Sequence, residues 1–534
     1  MKSNAWWLVL GIAILRVFHA PAYAQEIQLT TDPAHQAYPS IWGNRIVYGD
    51  SRHVNGEIYL FDLTTWTETR ITNHPADQGN PQIYQEKIVY VDNRNSNEDI
   101  YLFDLSNVSE TRITTDSSDQ LLPDIFGNYI VWQDWRTNNN PCICLCGITD
   151  EPFGECWDPV CTMDQSPTLY FFDLSTSVES QLSPITFWTE QARGPAVYGS
   201  QVAWENHNGS WIISSCGGPF NVIIESQFYP IISVTALPSL ARTDLLNPPR
   251  QASTPDIFEN LVGYQGPLIY NNFYYFPPSL YLYDLSLAQE TDLGVAGFYP
   301  TIYGNYLVYI RDTNPNPPPF EPYPTYLGAQ CQLFLYDLTN STETQVTTAP
   351  IMFMPPAIYE DKVVYTANRY GNLDIFLYLI PPSSLDVTPD AAGILEGESL
   401  GFQALAIWSD GRTQQVACDS GTTWAITGDL VKRSCSGNLK KVSALDLPGP
   451  TGGFGAVNAS YRGVSDPAAS LVEVLNNDFA VLTPPPQGPL LSPASDQDQN
   501  FPNCGAIAQG PSSLAVLGLL LLALRGCRRL IRPS

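Results

Sequence analysis

Beyond residue 24 the chain holds four histidines, His35, His53, His74 and His207. Imidazole is a common metal ligand and a general base near neutral pH, so histidines on neighbouring connections would suit a metal centre or a proton-transfer site. His35 nonetheless aligns with Asp77 and Asp119 in the repeat described below, which marks a turn position that takes either polar side chain. Three acid–base pairs, Asp50/Arg52, Asp92/Arg94 and Asp134/Arg136, recur at one point of the same repeat. One such pair could grip a ligand. Recurrence in three units instead predicts a structural ion pair pinning a loop, worth about 0–1 kcal/mol if exposed. No GxSxG elbow, HExxH helix, phosphate-binding glycine loop or dinucleotide fingerprint occurs, so no catalytic residue is assigned.

Eleven cysteines are present, five of them at Cys142, Cys144, Cys146, Cys156 and Cys161. Their CxCxC run lacks the paired CxxC spacing of zinc sites, and disulfides are the reading that suits an oxidising compartment. Cys418 and Cys435 are expected to pair within a later domain. That leaves an odd number before Cys418, including Cys216 and Cys331. Export is indicated by the N-terminus: Lys2, the apolar run AWWLVLGIAIL, Pro21 and the small-x-small site ending at Ala24 predict a signal peptide over residues 1–24. The formal charge of −28 has no basic block between the termini, which argues against nucleic acid as a partner. Acidity keeps an exposed protein soluble. No cofactor is expected, calcium or another divalent cation being the one the acidity leaves open.

The elements that carry these residues are strands. Aromatics make up 12% and charged residues 15% of the chain, a balance suited to buried β-structure joined by turns. The word IYLFDL at 58–63 returns unchanged at 100–105, within NEDIYLFDL, and relatives of it stand at 169–174, 280–285, 333–338 and 375–380. A second word precedes it seven times, beginning PSIWGNRIVYGD (39–50), PQIYQEKIVYVD (81–92) and PDIFGNYIVWQD (123–134), then at 195, 255, 300 and 356. This word reads as two strands, A and B, around a tight turn such as Gly43-Asn44. The IYLFDL word is strand C, and ETRIT-like segments form strand D. The seventh unit lacks a strand D while EIQLT (26–30) is spare. An N-terminal strand completing the last unit would close a ring and remove exposed edges. The expected fold is all-β: a seven-bladed β-propeller over 25–382, with six blades as the fallback because unit four loses its pattern after WIISSC (211–216).

The pattern D-x-R…N-x-D-I-Y-L-F-D-L resembles the TolB-type propeller repeat of exported bacterial proteins, although IYGN stands where that repeat has WSPDG. The resemblance implies a propeller and, as alternatives, a periplasmic envelope-assembly partner or a metal-assisted lyase of pectic oligosaccharides. In an A-B-C-D meander the B–C and D–A connections share one side. The long inserts 137–168, 267–279 and 313–330 are all B–C connections, and His35, His53, His74 and His207 are expected on B–C or D–A loops. Long loops on one side of a rigid scaffold are where binding usually resides.

Residues 383–476 change style, and ILEGESLGFQALAIWSDGRTQQV, TTWAI and ASYRGVS resemble a bacterial Ig-like domain of the Big2 type, which implies a small β-sandwich. Residues 477–503 form a Pro/Asp-rich linker. Residues 504–534 contain Cys504, the apolar LAVLGLLLLAL and trailing arginines. They resemble rhombosortase-type sorting tails, including the Cys-containing version of myxobacterial surface proteins, which implies processing near Cys504. A plain membrane anchor is the simpler reading. Together these readings predict a monomeric exported protein at the cell surface, outer membrane or periplasm. It would be non-enzymatic, take a protein or glycan on its B–C/D–A side, and meet the membrane through its tail. The competing enzyme, a polysaccharide lyase or hydrolase, would use the histidines or acidic loop residues.

Overall fold

The computed structural model describes residues 26–136, 167–183, 190–214, 223–245, 252–266, 269–270, 273–274, 278–313, 330–395, 397–445 and 453–475. Ala24, Cys142, Cys144, Cys146, Cys156, Cys161, Cys216 and Cys504, named above, lie outside these residues. Every regular element described is a strand.

Between residues 26 and 379 the described strands form seven four-stranded antiparallel sheets in A-B-C-D order. Sheet one comprises Gln36–Trp42, Arg45–His53, Asn55–Asp62 and Thr67–Arg70. Strand A of each sheet lies against strand A of the next, and strand A of sheet seven returns to sheet one. This is a β-propeller arrangement. Sheet seven takes its outer strand from the start of the chain: Glu26–Gln28 pairs antiparallel with Asp374–Leu379, Glu26 opposite Tyr378 and Gln28 opposite Phe376.

The apolar letters of the repeat occupy both sides of each sheet. Ile46, Val47, Tyr48 and Ile58 are fully buried, as are Ile88, Val89, Tyr90 and Ile100 one unit later, because neighbouring sheets cover both faces. The strand-A aromatic was not singled out in the sequence, yet it builds a closed circuit. Trp42, Tyr84, Phe126, Tyr198, Phe258, Tyr303 and Tyr359 touch in sequence, with centroid separations of 4.3 to 4.9 Å, and Tyr359 returns to Trp42 at 4.8 Å. Trp42 also lies 6.0 Å from Phe126, so the rings crowd towards the axis. Tilted aromatic pairs at these distances add about 0.5–1.5 kcal/mol each beyond their burial.

Three features differ from expectation. Unit four is complete: its B and C strands, Gln201–Ser214 and Ile223–Ala236, run for 14 residues each, and Ala241–Asp244 is its strand D. Its strand C lacks the aromatic-Asp-Leu ending that identifies the others, which hid it. His207 accordingly lies within strand B and not on a loop. The 267–279 connection contains a small ladder, Ile269–Tyr270 with Phe273–Tyr274. Strand A starts earlier than its conserved-looking word, at Gln36, Gln78 and Gln120, and carries a bulge at a residue with positive φ before each proline, as at Tyr38 (56°) and Leu122 (50°).

Residues 384–475 form two packed sheets. One orders Ser384–Thr388, Ser399–Ile407, Leu439–Ala444 and Leu430–Ser436; the other orders Ala391–Leu395, Ser470–Leu475, Gly453–Tyr461 and Thr422–Gly428. Phe402, Trp424, Val457, Val472 and Val474 fill the space between. A disulfide joins Cys418 to Cys435, while Cys331 is a buried free thiol on sheet six, its pKa pushed up to about 12 by burial.

This sandwich is docked on the propeller. Its core is continuous with that of sheets six and seven. Trp408 Nε1 and Arg462 Nη1 both donate to the Ile380 carbonyl at 3.2 Å, and Ser409 Oγ donates to Tyr306 Oη at 2.8 Å. Arg462 also pairs with Asp361, whose side chain is 8% exposed. Burial opposes ionisation of Asp361, but Lys362 and Arg462 outweigh it and hold its pKa below the usual carboxylate value. Asp361 lies on an A–B turn, Tyr306 opens strand B directly after one, and Ile380 lies just past strand C, so the sandwich occupies the A–B/C–D side.

Candidate functional site

On the B–C/D–A side one motif recurs in sheets one, two and three, and in part in sheets six and seven. In sheet one the Asp50 carboxylate accepts from the Arg52 backbone N–H at 2.8 Å and from its guanidinium at 2.6 Å. The guanidinium spans to Glu68 on strand D at 2.7 Å and lies over the Tyr59 ring, 4.2 Å from its centroid. Tyr48 donates its hydroxyl to the same Glu68. Sheet two repeats this with Asp92, Arg94, Glu110, Tyr90 and Tyr101, and sheet three with Asp134, Arg136, Glu179 and Tyr170. The sequence showed only the Asp/Arg core of this unit. Its spacing left the burial of the pairs open; the Asp50, Asp92 and Asp134 side chains are fully buried. A buried carboxylate whose arginine is removed costs about 3–5 kcal/mol. In sheet six Arg311 keeps Glu343, Tyr309 and Phe334 without the aspartate.

Sheet seven completes the motif across the seam. Arg369 lies over Phe376, and both Arg369 and Tyr365 donate to Glu26. Glu26 on the first strand thus takes the place that Glu68 and Glu110 hold elsewhere.

A second repeated set joins sheet seven to one, one to two, and two to three. Asn55 Nδ2 donates to the His74 and Ala76 carbonyls at 2.9 Å each, Asn97 to those of Asp116 and Ser118, and Asn372 to those of Asp32 and Ala34. The histidines belong to this set. His35 Nδ1 accepts from the Leu373 N–H at 3.1 Å, as Asp77 accepts from Gly56 at 2.8 Å and Asp119 from Glu98 at 3.0 Å. His74 Nδ1 accepts from Ala76 N–H at 3.1 Å, where Asp32 and Asp116 accept from Ala34 and Ser118. His53 Nε2 is 2.7 Å from the Tyr59 hydroxyl. Each of these three rings is therefore engaged in local loop geometry. No group of three or more metal-binding side chains occurs among the described residues.

Strand A supplies two carboxylates. Asp124 accepts from the Val197 N–H of the next sheet at 2.7 Å and from its neighbour Ile125 at 2.9 Å. Asp256 accepts from the Ile302 N–H at 2.8 Å. Burial lifts the pKa of Asp124 to about 7, with Asp256 adding to it, and burial lifts that of Asp256 to about 6. They staple neighbouring A strands.

No family model matches this chain, and no curated protein matches it. Solved structures similar to it include oligogalacturonate lyase from Vibrio parahaemolyticus, at 12% identity over 68% of this chain and 96% of that one, TM-score 0.44. The β-propeller domain of the trilobed protease from Pyrococcus furiosus aligns at 12% identity over 65% and 93%, TM-score 0.42. TolB from Acinetobacter baumannii aligns at 12% identity over 64% and 78%, TM-score 0.33. None of these similarities carries an activity to this chain.

Proposed function

We propose that the chain is an exported, non-enzymatic binding scaffold at the cell surface or envelope. In this reading residues 25–382 are a seven-bladed propeller closed by its N-terminal strand, and 383–476 are an Ig-like domain. A signal peptide ending at Ala24 and a C-terminal tail around Cys504 deliver and retain it. One observation supports this above the rest. The sandwich occupies the A–B/C–D side, so the side with the long connections is left clear of it and presented outward by a rigid support.

A metal-assisted polysaccharide lyase needs ligands that converge. His35 and His74 instead accept backbone N–H groups that aspartates accept in equivalent sheets, and His53 bonds Tyr59. The test is elemental analysis of the purified chain together with incubation on oligogalacturonate with and without manganese. We expect no stoichiometric transition metal and no unsaturated product. Turnover that disappears when His35, His53 and His74 are replaced would overturn the scaffold reading. The same measurement checks for calcium.

A further inference from the structure

The end of the sandwich farthest from the propeller is apolar. Strand Gly453–Tyr461 runs from that end towards Arg462, which bonds the propeller, so Phe454 stands about 25 Å along the strand from the docking contact. Phe454 is 62% exposed, Leu475 43%, and Leu395 and Leu445 40% each. They share one surface. Leu395 pairs in register with Leu475, the Glu398 N–H donates to the Leu395 carbonyl, the Ala444 N–H donates to the Glu398 carbonyl, and Asp429 bonds the backbone of both Leu445 and Phe454. Solvated apolar side chains joined in this way mark an interaction surface. The last described strand also ends here, at Leu475.

The hairpin of Leu430–Ser436 and Leu439–Ala444 starts and finishes at the same end. It holds Lys432, Arg433, Lys440 and Lys441, with no acid from 430 to 445. Elsewhere arginines stand against carboxylates, as Arg45 on Glu86, Arg70 on Glu57 and Arg112 on Asp99. None of the four hairpin cations forms an ion pair among the described residues, and Arg433 donates to Ser443 Oγ at 3.0 Å. Lys440 is only 8% exposed, and burial, with Lys432 nearby, pulls its pKa below the usual lysine value. An anion beside the two lysines offsets both effects. Cations on an edge strand also deter edge pairing, which accounts for Lys432 and Arg433 but not for Lys440 and Lys441 on the inner strand. The acids described at this end are Glu398, Asp429 and Glu473, so the four cations cancel them within a chain of charge −28. Repulsion from an anionic surface is therefore least here.

We propose that this end of the sandwich rests on an anionic lipid surface, its four apolar side chains entering the interfacial layer and the cations of the hairpin meeting headgroup phosphates. The inference rests on the reading above that the C-terminal tail retains the chain at an envelope, and it adds the module that touches the lipid.

The test floats the full chain with vesicles of phosphatidylcholine alone or mixed equally with phosphatidylglycerol. Lysines are then acetylated with an amine-reactive reagent and read by mass spectrometry, with Lys87 on sheet two as the internal reference. We expect Lys432 and Lys441 to be labelled about fivefold more slowly on the mixed vesicles than on the neutral ones, Lys87 to be unchanged, and the protection to be lost at about 1 M salt. Phe454→Ser with Leu475→Ser should remove most of that protection without lowering the melting temperature, because both side chains are solvated. Equal labelling on the two kinds of vesicle, or protection indifferent to the serine substitutions, overturns the proposal and leaves retention by the tail standing. A chain that floats with neither vesicle overturns both. Protection of the same lysines by inorganic phosphate without vesicles would assign the hairpin to a free anion and overturn the lipid contact.

Discussion

Replacing Asp124 by asparagine tests whether the strand-A carboxylates carry the electrostatic cost their enclosure implies. In the folded chain Asp124 titrates at about 7, against about 3.9 for an unstrained aspartate in an unfolded chain. A raised folded value means that the folded state holds the proton more tightly. Its contribution to stability is therefore fully present below about pH 4 and is lost as pH rises through about 7. The difference of about 3 units corresponds to about 4 kcal/mol. For a cooperative unit of about 350 residues, that is about 5 °C in melting temperature. Asparagine keeps a carbonyl to accept the Val197 N–H but does not ionise. The measurement is thermal unfolding of both proteins, followed by tryptophan fluorescence, at intervals from pH 4 to 8. The variant should gain on the wild type across that window, by up to about 5 °C at the alkaline end. A difference that stays constant with pH, or one that favours the wild type at high pH, would refute the reasoning.

Four further outcomes are expected. Glu26→Ala removes the acceptor of Tyr365 and Arg369 at the seam; it should cost about 1–3 kcal/mol in denaturant titration, and deletion of 26–30 should cause aggregation visible by light scattering, because strand C of sheet seven becomes an edge. Arg462→Ala leaves Asp361 buried with a weaker partner and should cost about 3–5 kcal/mol, with limited proteolysis newly cutting near 380–384. Reduction of the Cys418–Cys435 bridge, which spans 17 residues, should lower sandwich stability by about 3 kcal/mol in calorimetry with and without reductant. His35→Asp should be nearly neutral in melting temperature, while His35→Ala should cost about 1 kcal/mol, since Asp77 and Asp119 do the same work in the next two sheets.

The strand words were legible because buried strands need apolar letters at fixed places, and repetition exposes them above noise. The spare EIQLT was legible for a related reason: a missing strand and an unpaired one are each costly alone. What escaped was whatever the repeat spelled with interchangeable letters. Trp42, Tyr84 and Phe126 look like ordinary strand ends until their rings are seen to touch around the axis. Glu68 lies sixteen residues from Arg52, beyond any local spacing rule, so the sequence shows the ion pair as two residues and leaves its burial open. Strand C of sheet four was missed because Ile223–Ala236 keeps β-branched composition but not the repeat's spelling. The histidines drew attention through their chemistry; the repeat already aligns His35 with Asp77 and Asp119, and the N–H partners show what that turn position does. The docking of the sandwich on sheets six and seven depends on Ile380, Asp361 and Tyr306, single residues that no periodicity announces.

The seam bonds residues 344 apart in sequence, Thr30 to Asp374. The strand that emerges first is thus the last to find its place, and until it does a growing chain holds an unfinished crescent whose end strands stay adhesive. Loop closure over that span is slow relative to local hairpins. The ring therefore acts as a lock that engages only once the whole array has been made.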